Sequence, residues 1–448
     1  MPIPRHSRVT AVIMAGGRGE RLWPRSRAAL PKQFTQLRVA DTQGDRTLIQ
    51  STVDRIRPLI PAENIFVVTG SEWAGLAREQ LPEIPGENII IEPAARNTAP
   101  CIALATSIIR RRYRGEDPVM AVLPADHVIR DDQAFRTALQ AAIDVCRWPF
   151  IADASAGALP AARVHETGTV KHRPLAEGWA DVAAAVGESS GDGAVADGDA
   201  RAGAGDLLRY PLVTLGIWPT RPETGYGYLR IGRFLGTLDG LFAYEAAGFT
   251  EKPDAVTAQH FVASGRYLWN SGMFIWRANA IWEAFRRYMP AVHAAFDRVD
   301  AMSFTKGAAG LDWNSALARE YRQLTPVSID YGIMEKARSI VTIPCSFGWD
   351  DVGSWPALER LLPADEHGNV IEAAKCLAVD SHNCIVGQDA DHGQAKVLPG
   401  SRLIALLGVE DLIVVDTDNV LLVASKGRAQ DLKKLLERLR AEGLEEYL

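Results

Sequence analysis

Residues 12 to 34 read VIMAGGRGERLWPRSRAALPKQF, and the interpretation of this stretch decides how the rest of the chain is read. Val9 to Met14 is a short run of mostly apolar, β-branched residues, the composition of a buried strand. It leads directly into Gly16, Gly17 and Gly19, with Arg18 and Arg21 interleaved. Glycines let backbone N–H groups approach phosphate oxygens without interference from Cβ, and arginines bring charge and forked donors. Pro24 and Pro31 stiffen the return, and Lys32 adds a second cationic contact. The stretch is therefore read as an anion-binding loop. It is neither of two familiar phosphate motifs: no Gly-Lys-Ser/Thr follows the glycines, and Leu22 stands where a dinucleotide fingerprint needs its third glycine.

Size and composition set the frame. A chain of 448 residues has room for two or three domains, and 47% hydrophobic with 23% charged residues is ordinary for a globular protein. A net charge of -6 argues against a non-specific nucleic-acid binder. Residues 151 to 208 hold nine Asp or Glu against four Lys or Arg, so most of that excess sits in one segment. Cys101, Cys146, Cys345, Cys376 and Cys384 are odd in number and lack CxxC spacing, which suggests buried thiols in a reducing compartment rather than disulfides or a zinc site. The amino terminus has no apolar signal region and no run of 18 apolar residues occurs, so the expectation is a cytoplasmic protein without membrane association.

Beyond the loop, helical spacing over Thr47–Leu59, Trp73–Leu81 and Thr98–Tyr113 alternates with apolar runs at Asn64–Thr69, Asn88–Ile91 and Val119–Leu123. That alternation implies an α/β fold with a parallel sheet covered on both faces, whose carboxyl-end loops line one crevice. EPAARNTAP (92–100) leaves the third strand; Arg96 and Asn97 lie near the base or phosphates, cap a helix, or do both. In LPADH, Asp126 follows a strand end and is a candidate Mg²⁺ ligand or a turn former, whereas His127 is read as a neighbour bonding the loop. Residues 153–208 are rich in Ala and Gly with a faint helical signal near Trp179–Val186, the pattern of a flexible insertion without chemistry.

The chain resumes with PETGYGYLRIG, in which glycines around Tyr226 suit either a ligand loop or a hairpin. FTEKPD brings Glu251 and Lys252 together, and WNSGMFIW interrupts an apolar strand with Asn270, Ser271 and Gly272. Polar groups in such a frame suit recognition of sugar hydroxyls, or mark a strand bulge. Ala280–Val299 reads as a helix used for core packing. In SFGWDDVGSW, Asp350 and Asp351 precede a helix expected over Trp355–Leu362. The last 85 residues give short β stretches and a helix at Ala429–Leu439, suiting a small β-helix-like or sandwich domain. Two domains are expected, 1–362 and 363–448.

GxGxRL with PKQF, PADH, TGYGY, FTEKP, WNSGMF and the WDDVGSW segment occur here in the order found in sugar-nucleotide pyrophosphorylases. The set resembles the mannose-1-phosphate guanylyltransferase family over about 390 of the 448 residues, excluding mainly the insertion. The resemblance implies a Rossmann-like nucleotidyltransferase with a mixed, mainly parallel sheet, and a truncated left-handed β-helix after it. It implies transfer of GMP from GTP to mannose 1-phosphate by direct attack with Mg²⁺. Ala15, Gly16, Gly17, Gly19, Arg96 and Asn97 would then bind nucleotide, and Arg21, Lys32 and Lys252 would act on the phosphates. Tyr226, Gly227, Glu251 and Asn270 would bind the sugar, with Asp330, Glu335 and Lys336 nearby, and Asp126 and Asp351 would hold the metal. The WxDVGSW pattern of the family favours Asp351 over Asp350. Long relatives carry an isomerase domain, which this sequence is expected to lack, ending as it does at Leu448. Another nucleotide and sugar pair, or a regulatory paralogue that binds without turnover, are the rival readings; a homodimer through the C-terminal domain stays open.

Overall fold

The computed structural model describes residues 7–37, 46–147, 210–304, 313–373, 375–388 and 402–448. The insertion 153–208, with its faint helical signal, lies outside them. The chain divides into two compact units, the first made of 1–12, 96–123 and 133–346, the second of 13–95, 124–132 and 347–448. The strand Val9–Met14 starts in one and ends in the other.

In the first unit the strands lie in the order Val119–Pro124, Tyr267–Arg277, Leu212–Ile217, Ile340–Cys345, Leu241–Glu251, Gly227–Leu238. Ile340–Cys345 runs parallel to Leu212–Ile217 and the remaining pairs are antiparallel, so this is a mixed sheet. The antiparallel part comes from a long hairpin, Gly227–Leu238 with Leu241–Glu251, turned by Asp239 (φ 47°) and Gly240 (φ 80°). Asp-Gly with both φ positive is the turn that matches strand twist. The helix expected over Ala280–Val299 is two helices, Ala278–Tyr288 and Pro290–Phe304, because Pro290 has no N–H to continue the first. Trp282, Phe285 and Phe296 are nevertheless buried core, as their helical spacing indicated.

In the second unit Ile65–Gly70 pairs in parallel with Ile89–Glu92, and the order continues to the end of the first strand. The intervening helices, Leu48–Ile56 and Ala74–Gln80, fall within the expected spans. The first starts where Gln50 Oε1 accepts the Thr47 N–H at 3.0 Å. Further along, Val370–Glu372, Ile385–Gln388 and Leu412–Asp416 stack in parallel register, as do Cys376–Val379 and Ile404–Leu407. These short parallel rungs are the β-helix-like arrangement. Leu421–Ser425 closes them antiparallel, and a helix follows at Leu432–Ala441. Leu22 and Trp23 of the glycine-rich stretch share one buried cluster with Trp355, Ile413, Leu432 and Leu436. Among the described residues no helix is long and apolar enough to cross a membrane.

Candidate active site

The glycine-rich stretch folds as the sequence requires. Met14 ends the buried strand, and Ala15 is pinned there: its N–H donates to the Val68 carbonyl at 2.8 Å while its own carbonyl accepts from Thr69 Oγ1 at 3.0 Å and Gln33 Nε2 at 2.9 Å. Gly17 is exposed, and Gly19 adopts φ +63°, where a Cβ would stand 2.5 Å from Lys32 Cβ. The turn thus needs glycine on two counts, conformation and space. The close approach to Lys32 explains why the distant PK of the same stretch belongs with it.

Lys32 is 3% exposed, and its Nζ donates to Asp126 Oδ2 at 2.9 Å and to the Asp351 carbonyl oxygen at 2.5 Å. Burial alone would raise the Asp126 pKa, but the charges of Lys32 and His127 with the Lys32 hydrogen bond leave it lowered. His127 accepts from Trp349 Nε1 at 3.0 Å through Nδ1, as a loop neighbour would, and burial pushes its pKa down. Asp350 is committed elsewhere: its carboxylate takes two hydrogen bonds from Arg360, at 2.6 and 3.0 Å, and one from the Val352 N–H at 2.8 Å. Asp351 turns its carboxylate to the Gly353 N–H at 3.1 Å and lines the cleft. This cleft, of about 330 Å³, brings Gly19, Arg21, Lys32, Asp126 and Asp351 together. Among the described residues no group of three or more His, Cys, Asp or Glu could hold a metal ion alone.

Arg96 and Asn97 are not among the residues lining that cleft. Arg96 donates to the Arg322 carbonyl, and Asn97 caps the helix Thr98–Arg112 by accepting the Thr98 N–H at 2.8 Å. Asn97 holds φ +68°, a backbone state that Asn tolerates better than most residues. Arg25, although it lies in the glycine-rich stretch, points into the protein and pairs with Glu372 at 2.7 Å, both side chains buried.

The first unit gathers the second set. Gly227 packs so closely that a Cβ would lie 2.5 Å from Glu251 Oε2 and 3.4 Å from Asn270 Cβ. Glu251 Oε1 accepts from Lys252 Nζ at 2.7 Å, and the Lys252 backbone N–H donates to the Tyr226 carbonyl at 3.2 Å. Burial lowers the Lys252 pKa, but the hydrogen bond and charge of Glu251 more than offset that and leave it raised. Asn270 Nδ2 donates to Asp330 Oδ1 at 2.8 Å, and burial followed by the Glu251 charge pushes Asp330 up to about 6. Glu335 is raised by the same two causes. Three residues were missed in the sequence reading. Gln33 anchors the glycine-rich turn, Arg360 occupies Asp350, and Arg221 stacks over Trp269 at 4.9 Å while donating to the Tyr226 hydroxyl at 3.3 Å. Arg221 lies just before the Tyr226 loop, the one signal that could have drawn attention to it.

Comparisons with known proteins place the chain in a family. A nucleotidyl transferase family matches residues 10–174 and 206–368, and the mannose-P isomerase/GMP-like β-helix domain matches 374–439. The fold is therefore a Rossmann-like nucleotidyltransferase mixed sheet with helices, followed by a β-helix-like C-terminal domain. Mannose-1-phosphate guanylyltransferase of Escherichia coli K12 is 35% identical, the match covering 98% of this chain and 75% of that protein. The xanthan biosynthesis protein XanB of Xanthomonas campestris is 34% identical over 98% of this chain and 75% of its own length. The crystal structure of mannose-1-phosphate geranyltransferase from Thermus thermophilus superimposes with a TM-score of 0.68 at 31% identity, covering 97% and 99% of the two chains.

Proposed function

The chain belongs to the mannose-1-phosphate guanylyltransferase family of nucleotidyl transferases, and from that premise we propose that it transfers GMP from GTP to mannose 1-phosphate. The observation that carries the reading is the Lys32 ammonium set between Asp126 and Asp351 in a cleft that also receives Arg21 and the Gly19 turn.

An oxygen of the sugar phosphate attacks the α-phosphorus of GTP, a new P–O bond forms, the bond from the α-phosphorus to the bridging oxygen breaks, and pyrophosphate leaves. No protein nucleophile is needed, so the residues align substrates and balance charge. The backbone of Gly16, Gly17 and Gly19 holds the nucleotide on a turn that Ala15 anchors through its own hydrogen bonds, and Arg21 and Lys32 offset charge growing on pyrophosphate. Tyr226, Gly227, Glu251 and Asn270 orient the sugar, and Lys252 offsets its phosphate. Arg96 and Asn97 keep their proposed place near the base in addition to the cap.

The donor chemistry fits a hard divalent cation: two carboxylates from one cleft suffice, because Mg²⁺ completes its shell with water and substrate phosphate. Asp126 and Asp351 would hold it, and when bound it supplies charge neutralisation and a template for the phosphates. The catalytic part is proposed to run over 1–362 and the C-terminal part over 363–448. A cytoplasmic setting suits five free thiols and the supply of GTP. The test is incubation of the protein with GTP, mannose 1-phosphate and Mg²⁺, with mass spectrometry of the products. GDP-mannose is expected, and unchanged substrates would contradict the reading.

A further inference from the structure

The cleft around Lys32 has a wall that no loop of the nucleotidyl transferase part provides. Lys433, in the second position of the C-terminal helix Leu432–Ala441, lines it together with Arg18, Glu20 and Arg21. The helix is fixed there by its own residues and by those just before and after it. Leu432 and Leu436 are 4% and 2% exposed in the same buried cluster as Leu22 and Trp23. Arg440 donates to Glu20 Oε1 at 2.7 Å, Arg21 donates to Gln430 Oε1 at 3.4 Å, and Trp23 Nε1 donates to the Tyr447 carbonyl at 2.6 Å. The glycine-rich turn thus meets the C-terminal helix through the buried cluster and Arg440, and the residues flanking the helix through Gln430 and Tyr447, and Lys433 lines the cleft.

The charges there do not cancel within the protein. Four cations, Arg18, Arg21, Lys32 and Lys433, line the cleft with three carboxylates, Glu20, Asp126 and Asp351. Those carboxylates are engaged: Glu20 with Arg440, Asp126 with Lys32, and Asp351 with the Gly353 N–H. Neither Lys433 nor Arg18 has an ion pair among the described residues, and both are exposed. The adjacent Lys434, by contrast, pairs with Asp431 at 2.8 Å, and Asp431 also holds Arg428 at 3.0 Å. Like charges that outnumber the counter-charges at a cleft mouth repel one another and draw in a polyanion.

We propose that the C-terminal helix forms part of the nucleotide site, with Lys433 binding the β- or γ-phosphate of the nucleoside triphosphate and the pyrophosphate it becomes. This rests on the guanylyltransferase reading for the identity of the polyanion. It gives the β-helix-like domain a direct part in substrate binding, beyond packing.

The experiment compares wild type, Lys433→Ala, Lys433→Arg and, as a neighbour with the same charge, Lys434→Ala. Binding of GTP and of pyrophosphate is read by calorimetry at low salt, and KM is read for GTP and for mannose 1-phosphate. One exposed charge-assisted contact predicts a loss of about tenfold for Lys433→Ala in both polyanion affinities. KM for mannose 1-phosphate and the melting temperature should be unchanged, Lys433→Arg should recover most of the loss, and the effect should shrink as salt rises. Equal GTP and pyrophosphate affinities in wild type and Lys433→Ala would overturn the proposal, as would an equal loss in Lys434→Ala or a parallel rise of both KM values with a lower melting temperature. If wild type binds GTP without using mannose 1-phosphate, the activity reading falls while the Lys433 affinities still decide this inference. A wild-type protein that binds no nucleoside triphosphate overturns both.

Discussion

Asp330 Oδ1 accepts a hydrogen bond from Asn270 Nδ2 at 2.8 Å, and this pair ties the strand Tyr267–Arg277 to the short helix Asp330–Met334. Burial and the neighbouring Glu251 raise Asp330 from 3.8 to about 6, with Lys252 and the Asn270 bond acting in the opposite direction. Because the folded pKa exceeds the unfolded one, folding favours the protonated form. Its contribution to stability is present below about pH 4 and is lost as pH rises through 6. The ionised form is the better acceptor for sugar hydroxyls. Apparent affinity for mannose 1-phosphate should therefore improve as pH rises through 6, and Asp330→Asn should remove that dependence in both the KM profile and the melting profile. A pH dependence that survives in Asp330→Asn would assign the titration to another group.

Asp126→Ala should lower kcat by at least about a hundredfold, the scale expected when a preorganised charge is removed from a transition state, while part of the GTP affinity remains. Lys32→Met should lose a similar factor, since its buried ammonium is hydrogen-bonded to the partly exposed Asp126 and no other cation is hydrogen-bonded to that carboxylate among the described residues. Steady-state kinetics with calorimetric GTP binding separates the two effects. An active Asp126→Ala enzyme would sink the metal assignment.

Gly19→Ala combines a left-handed backbone with a Cβ placed 2.5 Å from Lys32 Cβ. The conformational part alone costs about 1 to 2 kcal/mol, and relief of the overlap must move Lys32. Loss of activity should thus exceed loss of stability. Gly17→Ala, with nothing within 4 Å of its Cβ, should fold as the wild type does. Thermal melting and kcat of the two variants give the comparison.

Arg25 and Glu372 form an ion pair whose side chains are 6% and 9% exposed. Removing one partner strands a buried charge, so Arg25→Ala and Glu372→Ala should each cost about 3 to 5 kcal/mol. Denaturant unfolding should show the double variant less destabilised than the sum of the single ones. Additive losses would mean that the pair carries no coupling.

How far the sequence could be read followed how local each signal is. The glycine-rich loop, the strand before it and the helices that follow announce themselves through spacing within a few residues, and they stand within a residue or three of where they were expected. Asp351 could be told from Asp350 only by resemblance; the reason, Arg360 holding Asp350, lies ten residues away in sequence and is visible only in space. The long hairpin escaped notice although Asp239-Gly240 carries its turn, since its strands pair through irregular registers that blur alternation. Pro290 was a local helix stop that the surrounding aromatic periodicity concealed. The meeting of the C-terminal helix with the glycine-rich turn, more than 400 residues apart in sequence, had no local sign at all.

The central claim is tested most directly by pyrophosphate release from the purified protein with Mg²⁺, across GTP, ATP, UTP, CTP and dTTP against the 1-phosphates of mannose, glucose and N-acetylglucosamine. The account predicts that kcat/KM for GTP with mannose 1-phosphate exceeds every other pair. Preference for another pair would contradict the specificity and keep the chemistry; no release from any pair, with nucleotide sugar still bound, would contradict the enzyme itself.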